Sequence, residues 1–286
     1  MRKLRHVLSA ASLMLATAPA ALAEEIGKPI DGGWKFQEPV TPVGEMLVDF
    51  HNHYLLPIIL LIVVFVFVMM AYIMWRYSEK RNPIPSKTSH NTMLEVVWTI
   101  VPVLLLLIMV VPSMRLLYFQ DTIPEADMTI KATGDTWAWN YAYPDFDDNV
   151  EEYVSNVLDE DTADELGVPY LLASDAPLVV PVDTVVRVLV TSNNNMHSFA
   201  MPSFGIKMDA VPGIINETWF EVREEGTYYG QCSEICGIKH AFMPIHIEVV
   251  SKPEFAQWVA YGGTFAPELA SNSTPEGAAS AEALPK

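Results

Sequence analysis

Tyr54-Leu-Leu-Pro-Ile-Ile-Leu-Leu-Ile-Val-Val-Phe-Val-Phe-Val-Met-Met-Ala-Tyr-Ile-Met-Trp75 runs for 22 residues without a charge. As a helix rising about 1.5 Å per residue it is about 33 Å long, enough to cross the hydrocarbon core of a bilayer. A second uncharged run of 19 residues, Val96 to Met114, is bounded by Glu95 and Arg115. Together they predict a membrane hairpin over residues 51–118, with helices at about 51–76 and 94–117 and a loop at 77–93. Pro57, Pro102 and Pro112 are expected near helix ends or where a neighbour satisfies the backbone.

The stretch between the runs, 76–94, holds Arg76, Lys80, Arg81 and Lys87 against Glu79. Basic loops stay in the cytoplasm, so both ends of the hairpin are expected outside. The N-terminus agrees. Arg2, Lys3 and Arg5, a short apolar run from Val7 to Leu15 and Ala21-Leu-Ala23 read as a cleaved signal over 1–23. Residues 24–50 then form an outer N-terminal segment.

The chain has 286 residues, 51% of them hydrophobic, and a mean hydropathy of +0.22, yet its net charge is -18. The two properties separate along the sequence, because residues 121–286 carry 27 acidic and 7 basic side chains. Such a surface repels nucleic acid. Residues 121–260 carry a β pattern. Met128–Thr133, Trp137–Tyr143, Leu178–Val182, Thr184–Thr191, Thr218–Val222, Thr227–Gln231 and Ala241–Val250 are short, alternating or β-branched stretches between turn signals. They predict an all-β sandwich or barrel. Residues 144–168 read as an acidic insertion, and 261–286 as a disordered or processed tail.

Both cysteines lie in Gly230-Gln-Cys-Ser-Glu-Ile-Cys-Gly-Ile-Lys-His-Ala-Phe-Met243, and His197 closes the strand region upstream. Two cysteines in an exported domain could form a disulfide, but a ring this small gains little. Two thiolates, two imidazoles and a thioether select copper or zinc. Zinc would leave Met243 idle. A single blue copper needs one cysteine only. Two coppers with both sulfurs bridging use every donor and suit one-electron relay.

These residues resemble the copper A loop of the subunit 2 family of haem–copper cytochrome c oxidases, of the bacterial aa3 kind. Met196-His-Ser198, Gly205-Ile-Lys-Met-Asp-Ala-Val-Pro-Gly213, Trp137-Ala-Trp-Asn-Tyr-Ala-Tyr143 and Glu95-Val-Val-Trp-Thr-Ile-Val-Pro102 extend the resemblance over about residues 30–260. It implies a cupredoxin-like Greek-key sandwich or barrel after the hairpin, in a bacterial inner membrane, with both mature termini and the copper domain in the periplasm. It implies that Cys232 and Cys236 bridge two coppers, that His197 and Met243 complete one, and that His240 and the Glu234 carbonyl complete the other. The Glu234 carboxylate would reach a Mg2+ or Mn2+ shared with subunit 1. Trp137 would receive the electron from cytochrome c, and Glu95 would stand at the mouth of a proton pathway. Haem a, haem a3 and copper B would lie in subunit 1, where O2 is reduced to water and protons are pumped. Subunit 3 and membrane lipid are further expected neighbours.

Glu151 and Asp175 occupy positions where the family docks its donor, whereas Ala142 and Asn194 stand where related chains carry acids. Ile214 replaces a common arginine near the Mg2+ position. Four aromatics between 137 and 143 exceed what one strand face is expected to bury, so some should lie at a surface. His246 is expected to face solvent or a partner.

Overall fold

The structure is a computed structural model that describes residues 27–265. The expected signal segment at 1–23 and most of the expected tail lie outside these residues. Helix α1 runs Pro42–Arg76 and α2 runs Thr92–Asp121, with mean hydropathies of 3.0 and 2.7 in their most apolar stretches. Both are long and apolar enough to span a bilayer, and those stretches are covered by no other part of the chain.

α1 starts at Pro42, well before the expected 51. Thr41 caps it, its hydroxyl accepting from the Gly44 N–H at 3.0 Å, and Pro42 fits the first turn. These turns pack on the β domain. Val43 and Gly44 are buried, and the Thr41 hydroxyl donates to the Phe204 carbonyl at 2.7 Å. One π turn at His51–Leu55 joins them to the apolar part. Glu45 and Asp49 interrupt the charge-free run, which is why a search for uncharged stretches misses the start. α2 is capped by the Asn91 side chain, and Pro102 and Pro112 lie well inside it rather than near its ends. Its C-terminal end is docked: Trp219 Nε1 donates to the Gln120 carbonyl at 3.1 Å, and Phe119 meets the Trp219 ring edge-on.

The β domain is a sandwich of two five-stranded sheets. One holds, in spatial order, β3 (Tyr153–Ser155), β2 (Ala138–Ala142), β1 (Met128–Asp135), β5 (Val185–Ser192) and β8 (Asn216–Glu221). The other holds β4 (Leu178–Pro181), β10 (Pro244–Val250), β9 (Gly226–Cys232), β6 (His197–Met201) and β7 (Ile206–Ala210). β1 runs parallel to β5 and β10 parallel to β4; the other pairs are antiparallel. Alternation along β5 sends Val186, Val188 and Val190 inward, into the same buried core as Phe199, Phe220 and Ile245. Each large apolar side chain so buried stabilises the fold by about 1.5–3 kcal/mol.

Three expectations are corrected, the one on the aromatics only in part. Residues 144–168 are more than an insertion, since they hold edge strand β3 and the short helix α3 (Glu160–Leu166). Trp139, Tyr141 and Tyr143 all fit on one inward face and are fully buried; the sandwich interior takes what an isolated strand face would not. Trp137, just before β2, is half-buried. His246 faces neither solvent nor partner: it is buried, accepts from the Ser174 N–H at 3.3 Å and stacks near Tyr229. Helix α4 (Lys252–Ala260) follows β10, closed by a Ser251–Glu254 capping box.

Candidate metal centre

β9 ends at Cys232, and the chain returns to β10 through a loop and a 3-10 turn at His240–Phe242. Cys232 N–H donates to the Met243 carbonyl at 3.2 Å and Ser233 N–H to the Ser198 carbonyl at 3.0 Å. These bonds pin both loop ends and bring them beside His197, the first residue of β6. Two glycines make the approach possible. A Cβ at Gly134 would lie 2.8 Å from His197 Cδ2. Gly237 has φ +128°, and a Cβ there would meet the Trp137 ring at 3.0 Å.

The donors converge. Cys232 and Cys236 Sγ are 3.9 Å apart and free. A disulfide needs about 2.05 Å, whereas two sulfurs on one ion at about 2.3 Å each stay within about 4.6 Å. His240 Nδ1 lies 3.6 Å from Cys236 Sγ, and Met243 Sδ lies 3.5 Å from the same sulfur. His197 Nδ1 is 3.2 Å from Met243 Sδ and 3.9 Å from Cys232 Sγ, while the Glu234 carbonyl oxygen is 3.3 Å from Cys232 Sγ. The ligand atoms of His197, Cys232 and Cys236 all fall within 4.8 Å of one another.

The electrostatics call for a cation. Burial, and then the neighbouring Cys232 sulfur, push the Cys236 thiol up to about 12. Burial chiefly pulls the His197 imidazole below its usual range, so it stays neutral with a lone pair to give. A paired thiolate in this pocket is unfavourable until a positive ion stands beside it.

The family described as "Cytochrome C oxidase subunit II, periplasmic domain" matches residues 128–250, and "Cytochrome C oxidase subunit II, transmembrane domain" matches residues 29–116. The chain belongs to the cytochrome c oxidase subunit II family. It is 40% identical over 287 residues to "Cytochrome c oxidase subunit 2" of Cereibacter sphaeroides, covering 94% of each chain. A Rickettsia prowazekii protein named "Probable cytochrome c oxidase subunit 2" is 48% identical over 225 residues, 79% of this chain and 71% of that one. The solved periplasmic domain of subunit II of the Bradyrhizobium japonicum cytochrome oxidase is 47% identical, covering 54% of this chain and 100% of that one, with a TM-score of 0.45. As a family member the chain is a subunit of an oxidoreductase, and the buried cysteine and histidine cluster is a candidate copper centre.

The other sequence-stated positions are dispersed. Trp137 joins the loop, its Nε1 donating to the Cys236 carbonyl at 3.2 Å. Glu95 sits in the first turn of α2, about 40 Å of helix from its C-terminal end. Glu151 and Asp175 are exposed together on a groove with Glu152, Glu248 and Trp258, none of them from the metal loop. The Asp175 carboxylate already accepts from the Asn156 N–H at 2.7 Å. Sequence reasoning noted Asn194 only as a replaced acid and missed what the amides just upstream of His197 touch: Asn194 lies against its ring and Asn195 Nδ2 donates to the Cys236 carbonyl at 3.1 Å. Three consecutive asparagines before a ligand were the available signal.

Proposed function

We propose that this subunit takes electrons singly from cytochrome c at a binuclear copper centre and passes them to haem a in subunit 1 of the oxidase. The observation that carries this reading is the donor set around the cysteine pair. It offers two sulfurs, two imidazole nitrogens, a thioether and a carbonyl, more than one four-coordinate ion can use. Cys232 and Cys236 would hold two coppers between them, with His197 and Met243 as further donors to one, and His240 and the Glu234 carbonyl to the other. When bound, the copper pair supplies a one-electron store spread over two ions.

The protein's own groups do the rest. β6, β9 and β10 fix the donors, so little needs to move when charge changes. Trp137, bonded to the Cys236 carbonyl, forms the contact through which the donor's electron arrives. The acidic surface, 27 carboxylates against 7 cations beyond residue 120, draws a basic donor and hastens encounter. Glu151 and Asp175 are part of that field. The Glu234 carboxylate holds a Mg2+ or Mn2+ at the boundary with subunit 1, a hard oxygen ligand beside a soft site. Glu95 collects protons at the cytoplasmic membrane face for the pathway into subunit 1. The two helices anchor the chain against subunit 1 in a bacterial inner membrane, with subunit 3 nearby and the copper domain in the periplasm.

The test is stopped-flow mixing of the oxidised, copper-loaded chain with reduced cytochrome c. One electron accepted per chain, at a rate that falls with added salt, supports the reading. Cytochrome c that stays reduced contradicts it.

A further inference from the structure

The contact between Asn194 and His197 determines which imidazole nitrogen carries the proton. Asn194 Oδ1 accepts from the Asn195 N–H at 2.6 Å, a group that can only donate. Asn194 Nδ2 donates to the Asp135 carboxylate, a group that accepts, and also reaches Thr136 Oγ1 at 2.9 Å. Asn193 Nδ2 holds the other oxygen of Asp135 at 3.2 Å. The amide therefore has one permitted orientation, oxygen toward residue 195 and nitrogen toward Asp135. That oxygen also lies 3.2 Å from His197 Nε2. An amide oxygen only accepts, so Nε2 must carry the hydrogen. Nδ1 is then left with its lone pair, on the side where Met243 Sδ and Cys232 Sγ lie.

We propose that Asn194 is the positioning residue that sets the His197 tautomer for metal binding, with Asp135 locking the Asn194 amide. The ligand role of His197 rests on the copper reading above; the tautomer itself does not. Ligating histidines commonly donate their second N–H to a carboxylate or carbonyl. Here a neutral amide makes that contact, and the negative charge is held one residue further away at Asp135.

The experiment uses the full-length chain, reduced and metal-free in detergent, with 15N label only in histidine. Seven histidines keep the spectrum sparse, and a His197→Gln variant assigns the signal. Long-range 1H–15N correlations are expected to show His197 protonated on Nε2 alone. Asn194→Leu should give a mixture of tautomers and bind copper about 10–100-fold more weakly. Asp135→Ala removes the carboxylate that accepts from Asn194 Nδ2; the amide can then turn, and the chain should show a partial mixture of tautomers. A wild-type His197 protonated on Nδ1 overturns the proposal, as does an Asn194→Leu chain with an unchanged tautomer and copper affinity. If Asn194→Leu fails to fold, the wild-type and Asp135→Ala spectra still decide: an Nδ1-protonated wild type, or an Asp135→Ala chain with an unchanged single tautomer, overturns the proposal. Failure to bind copper with the Nε2–H tautomer intact would instead count against the functional reading.

Discussion

The Trp137 indole donates to the Cys236 carbonyl at 3.2 Å, so a half-buried aromatic ring is tied to the backbone of the metal loop itself. The same ring packs where a Cβ on residue 237 would sit. Contact with the loop and partial exposure support the proposed role of Trp137 as electron entry. Trp137→Phe keeps a ring over Gly237 and loses the hydrogen bond. It is expected to slow reduction by cytochrome c by about tenfold or more, which is about 1.4 kcal/mol of barrier, with the copper absorption bands retained. Stopped-flow rates and an absorption spectrum check both halves, and a changed spectrum would make the residue structural.

Gly134→Ala tests how closely β1 must approach the site. The new methyl group would lie 2.8 Å from His197 Cδ2, among buried atoms with nowhere to go. The expected cost is about 1–3 kcal/mol of stability from overpacking, with copper bound less than fully. Chemical denaturation and copper stoichiometry measure it.

His246 gives the fold a pH dependence of known sign. Burial holds its imidazole down to about 4, while an unfolded chain titrates near 6.5. Below about pH 6.5 the unfolded state gains a proton that the folded state refuses. Stability from this group is full above that pH and is lost as pH falls toward 4, by up to about 3 kcal/mol. His246→Gln should flatten this part of the stability profile, read as denaturation midpoints at pH 4.5 and pH 7. Equal slopes in the two proteins would rule the group out.

In the proposed function the Glu234 main chain and carboxylate have different roles. The carbonyl faces Cys232 Sγ, so Glu234→Gln should leave the copper spectrum intact. In the assembled oxidase from cells grown on manganese, the wild type should show a bound Mn2+ resonance and Glu234→Gln should lack it. Loss of the copper bands instead would mean that the carboxylate shapes the loop.

Much of this architecture was legible in the sequence, and for physical reasons. Charge-free runs mark what a bilayer tolerates, and alternation in Thr184–Thr191 marks a strand with one face in a core. The loop from Cys232 to Met243 was legible because all but one of its side-chain donors are close in sequence. The start of α1 was not, since Glu45 and Asp49 break the apolar run while Thr41 and Val43 pack on Phe204's turn. Strand β6 hid behind a polar start, and how many of the four aromatics between 137 and 143 would be buried was not legible because the depth of a sandwich interior is a tertiary property. The Asn194 contact depends on β1 lying beside the end of β5, a pairing no local pattern announces.

Copper content and electron paramagnetic resonance of the purified, reconstituted chain test the central claim most directly. Two copper ions per chain sharing one unpaired electron, seen as a seven-line hyperfine pattern, are the predicted result. One copper ion with a four-line pattern, or a metal-free chain with Cys232 and Cys236 joined in a disulfide, would contradict it.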